Sequence, residues 1–373
     1  MQSRIWQDVF FYMMKFLFII QGEGRGHLTQ AMTLERLLTG HGHKVVRMMV
    51  GKSPQRSLPD FFIKGVSAPV EQFESLNFVP SSSHKRASMF KTIVYNAFKL
   101  YKIFPSARKI RDVVTSESPD VIVNFYELMT GLANLLYGLK APVVSIGHQY
   151  LFLHKDFRLS RRQFPGLGAL NLFSRLTSLK SAKRLALSFR SMAVDERHSI
   201  VPVPPLLRPE VLALKPEKGE YIHGYLLNYG FAQDVMEWHM EHPDVELRFF
   251  WDNWDAGKVT KVDDNLTFYL IDDKEFLRQM SGCMAYATTA GFESVCEAMY
   301  LGKPVLMVPS HIEQDINAFD AICSGAGVSC GKFDLSMLMK FAEGFTPDAG
   351  FRTWADSAAG IILRELESIV DKS

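Results

Sequence analysis

The segment from residue 288 to residue 317, TTAGFESVCEAMYLGKPVLMVPSHIEQDIN, combines residue types that could bind a phosphorylated ligand. A Thr-Thr-Ala-Gly turn precedes a helical pattern that starts at Phe292, and a helix start offers free N–H groups and a positive dipole end to an anion. Gly291 lets a ligand approach the backbone closely. Ser294 and Glu297 lie three apart and therefore share one helix face. A diphosphate at the helix start would leave an attached ribose near the Glu297 carboxylate, which can accept hydrogen bonds from two neighbouring hydroxyls.

A second polar cluster follows the next predicted strand. Gly302-Lys303-Pro304 ends the helix and leads into a buried strand over residues 305–308. The loop after this strand carries Glu313, Gln314 and Asn317. Ligands of open α/β sheets bind beyond the carboxyl ends of the strands, so both clusters are expected to face one crevice.

Ser294 and Glu297 also match a capping box, which would need no ligand. This alternative explains the first cluster alone, because capping gives no reason for polar residues after the following strand.

A glycine-rich loop lies near the N-terminus. The strand over residues 16–20 leads into QGEGRGH and then into a helix predicted from residue 28 to residue 39. A dinucleotide-binding fingerprint would need glycine at position 27 and an acidic residue after the next strand. The chain has His27 and Gly51-Lys52 at these places, so the pattern excludes NAD binding.

The loop itself suits an active site. Gly22, Gly24 and Gly26 allow it to turn tightly beside Arg25 and lie against a ligand. His27 stands at the helix entrance, and imidazole is the side chain whose ordinary pKa permits proton uptake near neutrality. His27 is therefore the candidate general base for an attacking hydroxyl. Capping of the helix or binding of a phosphate is the alternative role.

Length and composition set the class of protein. A chain of 373 residues exceeds the usual size of one core, which favours two domains. No apolar run reaches the length of a spanning helix. The four cysteines form no C-x-x-C pair, which is typical of reduced thiols in a cytoplasmic protein. Histidine, aspartate and cysteine show no metal-ligand spacing, so no metal is expected.

Strand-like segments, such as residues 121–125 and 143–146, alternate with helix-like ones in both halves, which predicts an α/β fold with parallel sheets. Five prolines interrupt the pattern over residues 201–218. We therefore predict a leader at residues 1–13, an N-terminal domain at 14–205, a linker at 206–218, a C-terminal domain at 219–351 and a final helix at 352–373.

The motifs at residues 15–35 and 270–320 resemble those of inverting GT-B glycosyltransferases. This superfamily includes the UDP-glycosyltransferases of plants and animals and the MurG-like N-acetylglucosaminyltransferase that makes lipid II. The resemblance implies two Rossmann-like domains that face each other across a cleft, with a last helix that crosses back to the N-terminal domain. It also implies a UDP-sugar as co-substrate and no other cofactor.

The resemblance assigns roles to single residues. Gly291 and Ser294, with the amides around Phe292 and Glu293, would hold the diphosphate. Glu297 would bind the ribose, while Glu313 and Gln314, beside Asn317, would bind the donor sugar. Thr289 stands where plant enzymes have a phosphate-contacting His and lipid II synthases an Arg. Leu270-Ile271-Asp272-Asp273 is similar to a lipid II synthase segment whose isoleucine backbone pairs with uracil, so Ile271 is a candidate to read the base.

The sequence thus predicts an inverting, metal-independent glycosyltransferase. A retaining enzyme of this fold would carry a Glu eight positions before Glu297, where this chain has Thr289. A UDP-sugar 2-epimerase-like isomerase is an alternative. Those enzymes carry a Ser-Gly-Gly turn and an Arg after the strand, whereas this chain has Thr-Ala-Gly and Pro309. A non-catalytic protein that binds nucleotide sugars is a further alternative.

Charge divides the chain at Gly219. Residues 1–218 hold 31 Lys and Arg against 15 Asp and Glu, while the remainder holds 11 against 25. Residues 75–111 and 157–194 contain no acidic residue and interleave cations with apolar side chains, as membrane-surface segments do. The lipid II enzyme and plant galactolipid synthases use their N-terminal domains in this way, and this resemblance implies a lipid or lipid-linked acceptor. We also expect a peripheral position on the inner face of the membrane and no nucleic acid partner. Neutralisation of the acidic second domain is the alternative role of these cations.

Overall fold

The structure is a computed structural model that describes residues 12–52, 58–75, 103–160, 162–227, 229–253 and 255–370. It contains two seven-stranded sheets. Most of the predicted leader and most of the first acid-free stretch lie outside the described residues.

The first sheet is parallel throughout and has the order β3-β2-β1-β4-β5-β6-β7. Its strands are β1 (Lys15–Gln21), β2 (Lys44–Lys52), β3 (Val70–Glu74), β4 (Val121–Phe125), β5 (Val143–Ile146), β6 (Lys183–Leu187) and β7 (Ile200–Val203). Strands such as β4 are buried at every residue because helices cover both faces of the sheet. The strand order reverses between β1 and β4, which opens a crevice at their carboxyl ends.

Helices connect these strands. They are α1 (Arg25–Gly40), α2 (Asp60–Gly65), α3 (Ile103–Glu117), α4 (Leu128–Tyr137) and α5 (Leu167–Thr177), with 3-10 turns at His148–Leu153 and Glu196–His198. Helix α1 begins three residues before the predicted start, because Gly24 serves as its N-cap. His27 is therefore in the first helical turn.

The second sheet has the order β10-β11-β9-β8-β12-β13-β14 and reverses between β8 and β12. All its pairs are parallel except β10 with β11. Its strands are β8 (Ile222–Leu226), β9 (Leu247–Trp251), β10 (Val259–Lys261), β11 (Leu266–Leu270), β12 (Ala285–Thr288), β13 (Val305–Met307) and β14 (Gly327–Ser329).

The helices of the linker and the second half are α6 (Pro209–Leu212), α7 (Ala232–Glu241), α8 (Asp273–Gly282), α9 (Phe292–Tyr300), α10 (Ile312–Cys323), α11 (Leu335–Glu343), α12 (Ala349–Asp356) and α13 (Ala358–Glu367), with a 3-10 turn at Tyr229–Phe231.

Three local features differ from the sequence predictions. Glu313, Gln314 and Asn317 lie in the first turns of α10 and not in a loop. The final helix is broken at Ser357 into α12 and α13. The proline-rich region contributes the strand β7, whose Pro202 is tolerated because β7 lies at the sheet edge.

The C-terminal helices do cross back to the N-terminal domain, as expected. The Trp354 indole donates to the Ser188 carbonyl at 2.9 Å, and the Lys183 ammonium contacts the Glu365 carboxylate at 2.6 Å. One apolar core runs from Phe16 and Phe18 in the first domain to Ile362 and other residues of the second half. Among the described residues, no helix is long and apolar enough to cross a membrane.

Candidate active site

The glycine loop follows β1 at the crevice of the first sheet. The Gly22 amide donates to the Gly51 carbonyl at 2.8 Å, and a side chain at Gly22 would collide with Val50. A side chain at Gly24 would meet no atom, so packing within the protein does not require this glycine. Gly24 therefore leaves space beside the loop that a ligand could use.

His27 lies beside the end of β4. Its ring stacks on Tyr126 with centroids 5.7 Å apart, and its Nδ1 lies 3.2 Å from the Gln30 side-chain oxygen. The surrounding cleft withholds water from the charged imidazole and lowers the pKa of His27 to about 4, while Gln30 opposes this shift. The imidazole is therefore neutral at physiological pH, which is the form that can accept a proton.

The helix α9 begins at the crevice of the second sheet. Ala290 has a φ of 61°, and the Asn317 amide donates to its carbonyl at 3.2 Å, which holds the turn before the helix. Gly291 is the N-cap and no side chain caps the helix. The Ser294 hydroxyl donates to the Gly291 carbonyl at 3.3 Å. The capping box is therefore not formed, and the N–H groups of the first turn have no side-chain cap.

The glycine loop and α9 meet across the cleft. A side chain at Gly26 would lie 2.5 Å from Oε2 of Glu293, so a larger residue at this position would displace the carboxylate. The Gln30 amide nitrogen donates to Oε1 of the same carboxylate. Burial raises the pKa of Glu293 to about 7, and Glu313 and Glu297 add to this rise through their charges.

The polar residues of α10 divide into two groups. Glu313 accepts a hydrogen bond from the Gln149 amide of the first domain at 2.9 Å, and burial raises its pKa to about 7. Gln314 turns inward and accepts from the amide and hydroxyl of Ser310 at 2.9 and 2.8 Å. The structure therefore brings Glu313, but not the oxygen of Gln314, to the first domain.

Glu297 pairs with an arginine that the sequence analysis missed. Nε of Arg208, in the linker, lies 2.7 Å from Oε1 of Glu297, and the two side chains are 17% and 4% exposed. Burial raises the pKa of Glu297, and the charge of Arg208 opposes the rise. No local sequence pattern indicates that Arg208 pairs with Glu297, because the two residues are 89 positions apart.

Comparison with known proteins gives a family that is consistent with the two sheets and the cleft between them. The model of Glycosyl transferase family 1 matches residues 14–344. The chain belongs to glycosyl transferase family 1. No curated protein sequence matches it. The fold and the match make the protein a glycosyltransferase.

Solved structures share the GT-B fold of this family 1 chain. Phytolacca americana UGT2, complexed with UDP-2fluoro-glucose and pterostilbene, has 14% identity and a TM-score of 0.63 over 96% of this chain and 99% of that one. Arabidopsis thaliana UGT89C1, complexed with quercetin, has 13% identity and a TM-score of 0.63 over 97% and 99%. LpCGTa in complex with UDP has 15% identity and a TM-score of 0.65 over 97% and 100%.

In this glycosyltransferase, the segment at the start of α8 faces the glycine loop. Ile271 is half-buried directly after β11, and Asp272 caps α8 by accepting from the Glu275 amide at 2.9 Å. Asp273 contacts the Arg25 guanidinium at 3.0 Å. A cavity of about 510 Å³ adjoins these residues between α1, α2, the linker and α8. Ile271 therefore lies two positions before the first residue of α8, which borders an interdomain cavity.

A second residue that the sequence analysis missed is Glu127, which follows β4 and N-caps α4. Its Oε2 is buried without a hydrogen-bond partner, and burial raises the pKa of Glu127 to about 7. Its place at the crevice, one residue after Tyr126, makes it a further titratable group of the N-terminal domain. Within the described residues, no three His, Cys, Asp or Glu side chains cluster in a way that could hold a metal ion.

Proposed function

We propose that this family 1 glycosyltransferase transfers a sugar from a UDP-sugar to an acceptor hydroxyl with inversion and without a metal ion. The observation that carries the proposal is the uncapped start of α9, which faces the glycine loop and His27 across the interdomain cleft. Free N–H groups and a helix dipole at this place suit the diphosphate of a donor.

The proposed donor site follows from these contacts. The diphosphate would lie at Gly291, Phe292, Glu293 and Ser294, with Thr289 buried behind it. The ribose would bind Oε2 of Glu297, since Arg208 contacts Oε1. Hydroxyls of the sugar would replace the Gln149 amide on Glu313. Ile271 would contact the base, and the two similar structures that are complexed with UDP-2fluoro-glucose or with UDP support uridine as the nucleoside.

The reaction would be a single displacement. The acceptor oxygen attacks the anomeric carbon, its proton passes to neutral His27, and the bond between that carbon and the diphosphate breaks as UDP leaves. The helix start at α9 stabilises the charge that develops on the leaving group. The absence of a carboxylate at Thr289 supports inversion over retention.

A lipid-linked acceptor is the finer part of the proposal and rests on surface charge. In the second acid-free stretch, Lys183, Arg184 and Arg190 bind within the protein, and Phe164, Leu167 and Leu170 are buried. The exposed residues among the described part of this stretch include Arg158, Arg162, Leu172, Arg175 and Lys180. Four exposed cations and an exposed leucine in one stretch support binding to an anionic surface on the cytoplasmic side.

Vesicle sedimentation tests this surface. We expect the protein to bind anionic phosphatidylserine vesicles at low salt and to dissociate from them at high salt. It should not bind neutral vesicles. An R158E/R175E variant should bind less tightly than wild type. Equal sedimentation with both vesicle types would refute the membrane proposal.

A thermal-shift panel tests the donor. UDP, GDP, dTDP, ADP and their sugars are compared, and a ligand at a hundred times its dissociation constant adds about 2.7 kcal/mol of stability. We expect UDP and UDP-sugars to give the largest shifts, and slow release of UDP from the best sugar when no acceptor is present. Stabilisation by ADP alone, or binding without UDP release, would overturn the proposal.

A further inference from the structure

One side chain joins the candidate base of the first domain to the donor helix of the second. Gln30 lies one turn after His27 on α1, and its Oε1 is 3.2 Å from His27 Nδ1. Its Nε2 donates to Oε1 of Glu293. The amide is buried, whereas His27 and Glu293 each keep part of their surface exposed. The three side chains form a chain of hydrogen bonds across the domain boundary.

The chemistry of the amide restricts the protons of this chain. A carboxamide oxygen only accepts and its nitrogen only donates. With its oxygen toward His27, Gln30 requires a hydrogen on Nδ1, which leaves the lone pair on Nε2. With its nitrogen toward Glu293, it requires an ionised or otherwise accepting oxygen there. The observed orientation therefore corresponds to neutral His27 with a free Nε2 and an accepting Glu293.

The reversed amide corresponds to a different state. If Glu293 gains a proton, its hydroxyl can donate to the Gln30 oxygen after the amide rotates by half a turn. The Gln30 nitrogen then donates to Nδ1, so the hydrogen of His27 must lie on Nε2. In this state Nε2 can no longer accept a proton from an acceptor hydroxyl.

We propose that Gln30 is a positioning residue that selects the Nδ1–H tautomer of His27 and makes its competence as a base depend on the ionisation of Glu293. The inference rests on the proposed role of His27 as base. It adds a link between the two domains, because the ionisation of a carboxyl group on α9 affects the tautomer of a histidine on α1.

The surroundings of the two groups give the pH range. Glu293 faces Gln30 and the backbone of Gly26 from the first domain, and the carboxylates Glu313 and Glu297 from its own domain. Burial raises its pKa to about 7 and these carboxylates add to the rise. His27 faces Gln30 and Tyr126, and its pKa is about 4. Glu293 therefore protonates while His27 is still neutral.

The test is the pH dependence of kcat/KM for UDP release from UDP-glucose or UDP-N-acetylglucosamine, whichever the thermal-shift panel favours. This profile reports the ionisations of the free enzyme. Wild type should lose activity below about pH 7. Glu293→Gln should lose this acidic limb, whatever its maximal rate, because the introduced amide oxygen accepts from Gln30 at every pH. Gln30→Met should release UDP about tenfold to a hundredfold more slowly, with an unchanged KM for the donor.

Gln149→Met is the matched control, because it removes another amide that donates across the same cleft to a buried glutamate, Glu313. It should keep the acidic limb of wild type. An unchanged limb in Glu293→Gln, or a limb lost equally in Gln149→Met, would overturn the inference.

The imidazole tautomer can be read without turnover. Nitrogen-15 NMR of histidine-labelled protein, with His27 assigned by His27→Gln, should show a protonated Nδ1 and a bare Nε2 at pH 8. Gln30→Met should shift this balance toward Nε2–H, and the opposite finding would refute the inference. His27→Ala distinguishes failure of the proposed base from failure of the Gln30 inference. If His27→Ala releases UDP at the wild-type rate, His27 is not the base. If His27→Ala loses activity but Gln30→Met leaves the His27 tautomer unaltered, only the role of Gln30 is refuted.

Discussion

Replacing Arg208 with methionine should destabilise the protein strongly, because it leaves a buried carboxylate without its partner. Nε of Arg208 lies 2.7 Å from Oε1 of Glu297, and the glutamate side chain is 4% exposed. Removing one partner of a buried ion pair costs about 3 to 5 kcal/mol, since the other charge keeps its desolvation penalty. Arg208→Met should lower the free energy of unfolding by about this amount at pH 8, measured by urea denaturation.

The loss should depend on pH in a definite direction. Burial already holds the pKa of folded Glu297 above its ordinary value of 4.5, and Arg208 limits the rise. Without Arg208 the folded pKa rises further, so above pH 4.5 the folded state binds a proton that the unfolded state has released. Stability then falls as pH rises through this window. The deficit of Arg208→Met should therefore be larger at pH 8 than at pH 5.

Arg36→Met is the matched control. Nη1 of Arg36 lies 2.6 Å from Oε1 of Glu210, which is as close as the buried pair, but these side chains are 40% and 52% exposed. An exposed pair contributes at most about 1 kcal/mol. The double variant Arg208→Met/Glu297→Gln should recover most of the lost stability. If Arg208→Met loses no more than Arg36→Met at pH 8, the argument from burial is wrong.

Three further outcomes are expected. His27→Ala should lower kcat for UDP release by roughly 10² to 10⁴ with little change in the donor KM, as loss of a general base does; lost donor affinity with surviving kcat would instead make His27 a phosphate ligand. Glu297→Ala should weaken UDP binding, measured by calorimetry, by about 1.5 to 3 kcal/mol, while Glu210→Ala should leave it unchanged. Equal UDP affinities of Glu297→Ala and wild type would refute the ribose contact. Dialysis against EDTA should leave UDP release unchanged, whereas a loss that added Mn²⁺ restores would refute metal independence.

Local patterns were enough to predict the framework. The bounds predicted for the strands over residues 121–125 and 143–146 agree with the structure, and the strand predicted over residues 16–20 is one residue shorter at each end than β1. Short apolar runs bounded by turn residues carry this information within themselves. The two-domain α/β organisation follows from the order of such runs, and the family match agrees with the resemblance to GT-B glycosyltransferases, whereas the inverting mechanism and the MurG-like specificity stay predictions.

Helix ends and long-range pairs were harder to predict. The sequence placed Glu313 and Asn317 in a loop, although both lie in α10, because an N-cap at His311 without a side-chain bond gives little signal. Ser294 and Glu297 matched a capping box that the structure does not form. The spacing was compatible with both outcomes, and only the position of Gly291 as N-cap decided between them.

The sequence by itself determined which residue types stand at each strand end and helix start, because these depend on neighbours within a few positions. The tertiary structure alone decided which of them meet. Gln30 and Glu293 are 263 positions apart, and Arg208 and Glu297 are 89 apart. Such pairs form where the crevices of the two sheets come together, and the burial there raises the pKa of Glu293 and Glu297. No local sequence pattern predicts which of these distant residues come into contact.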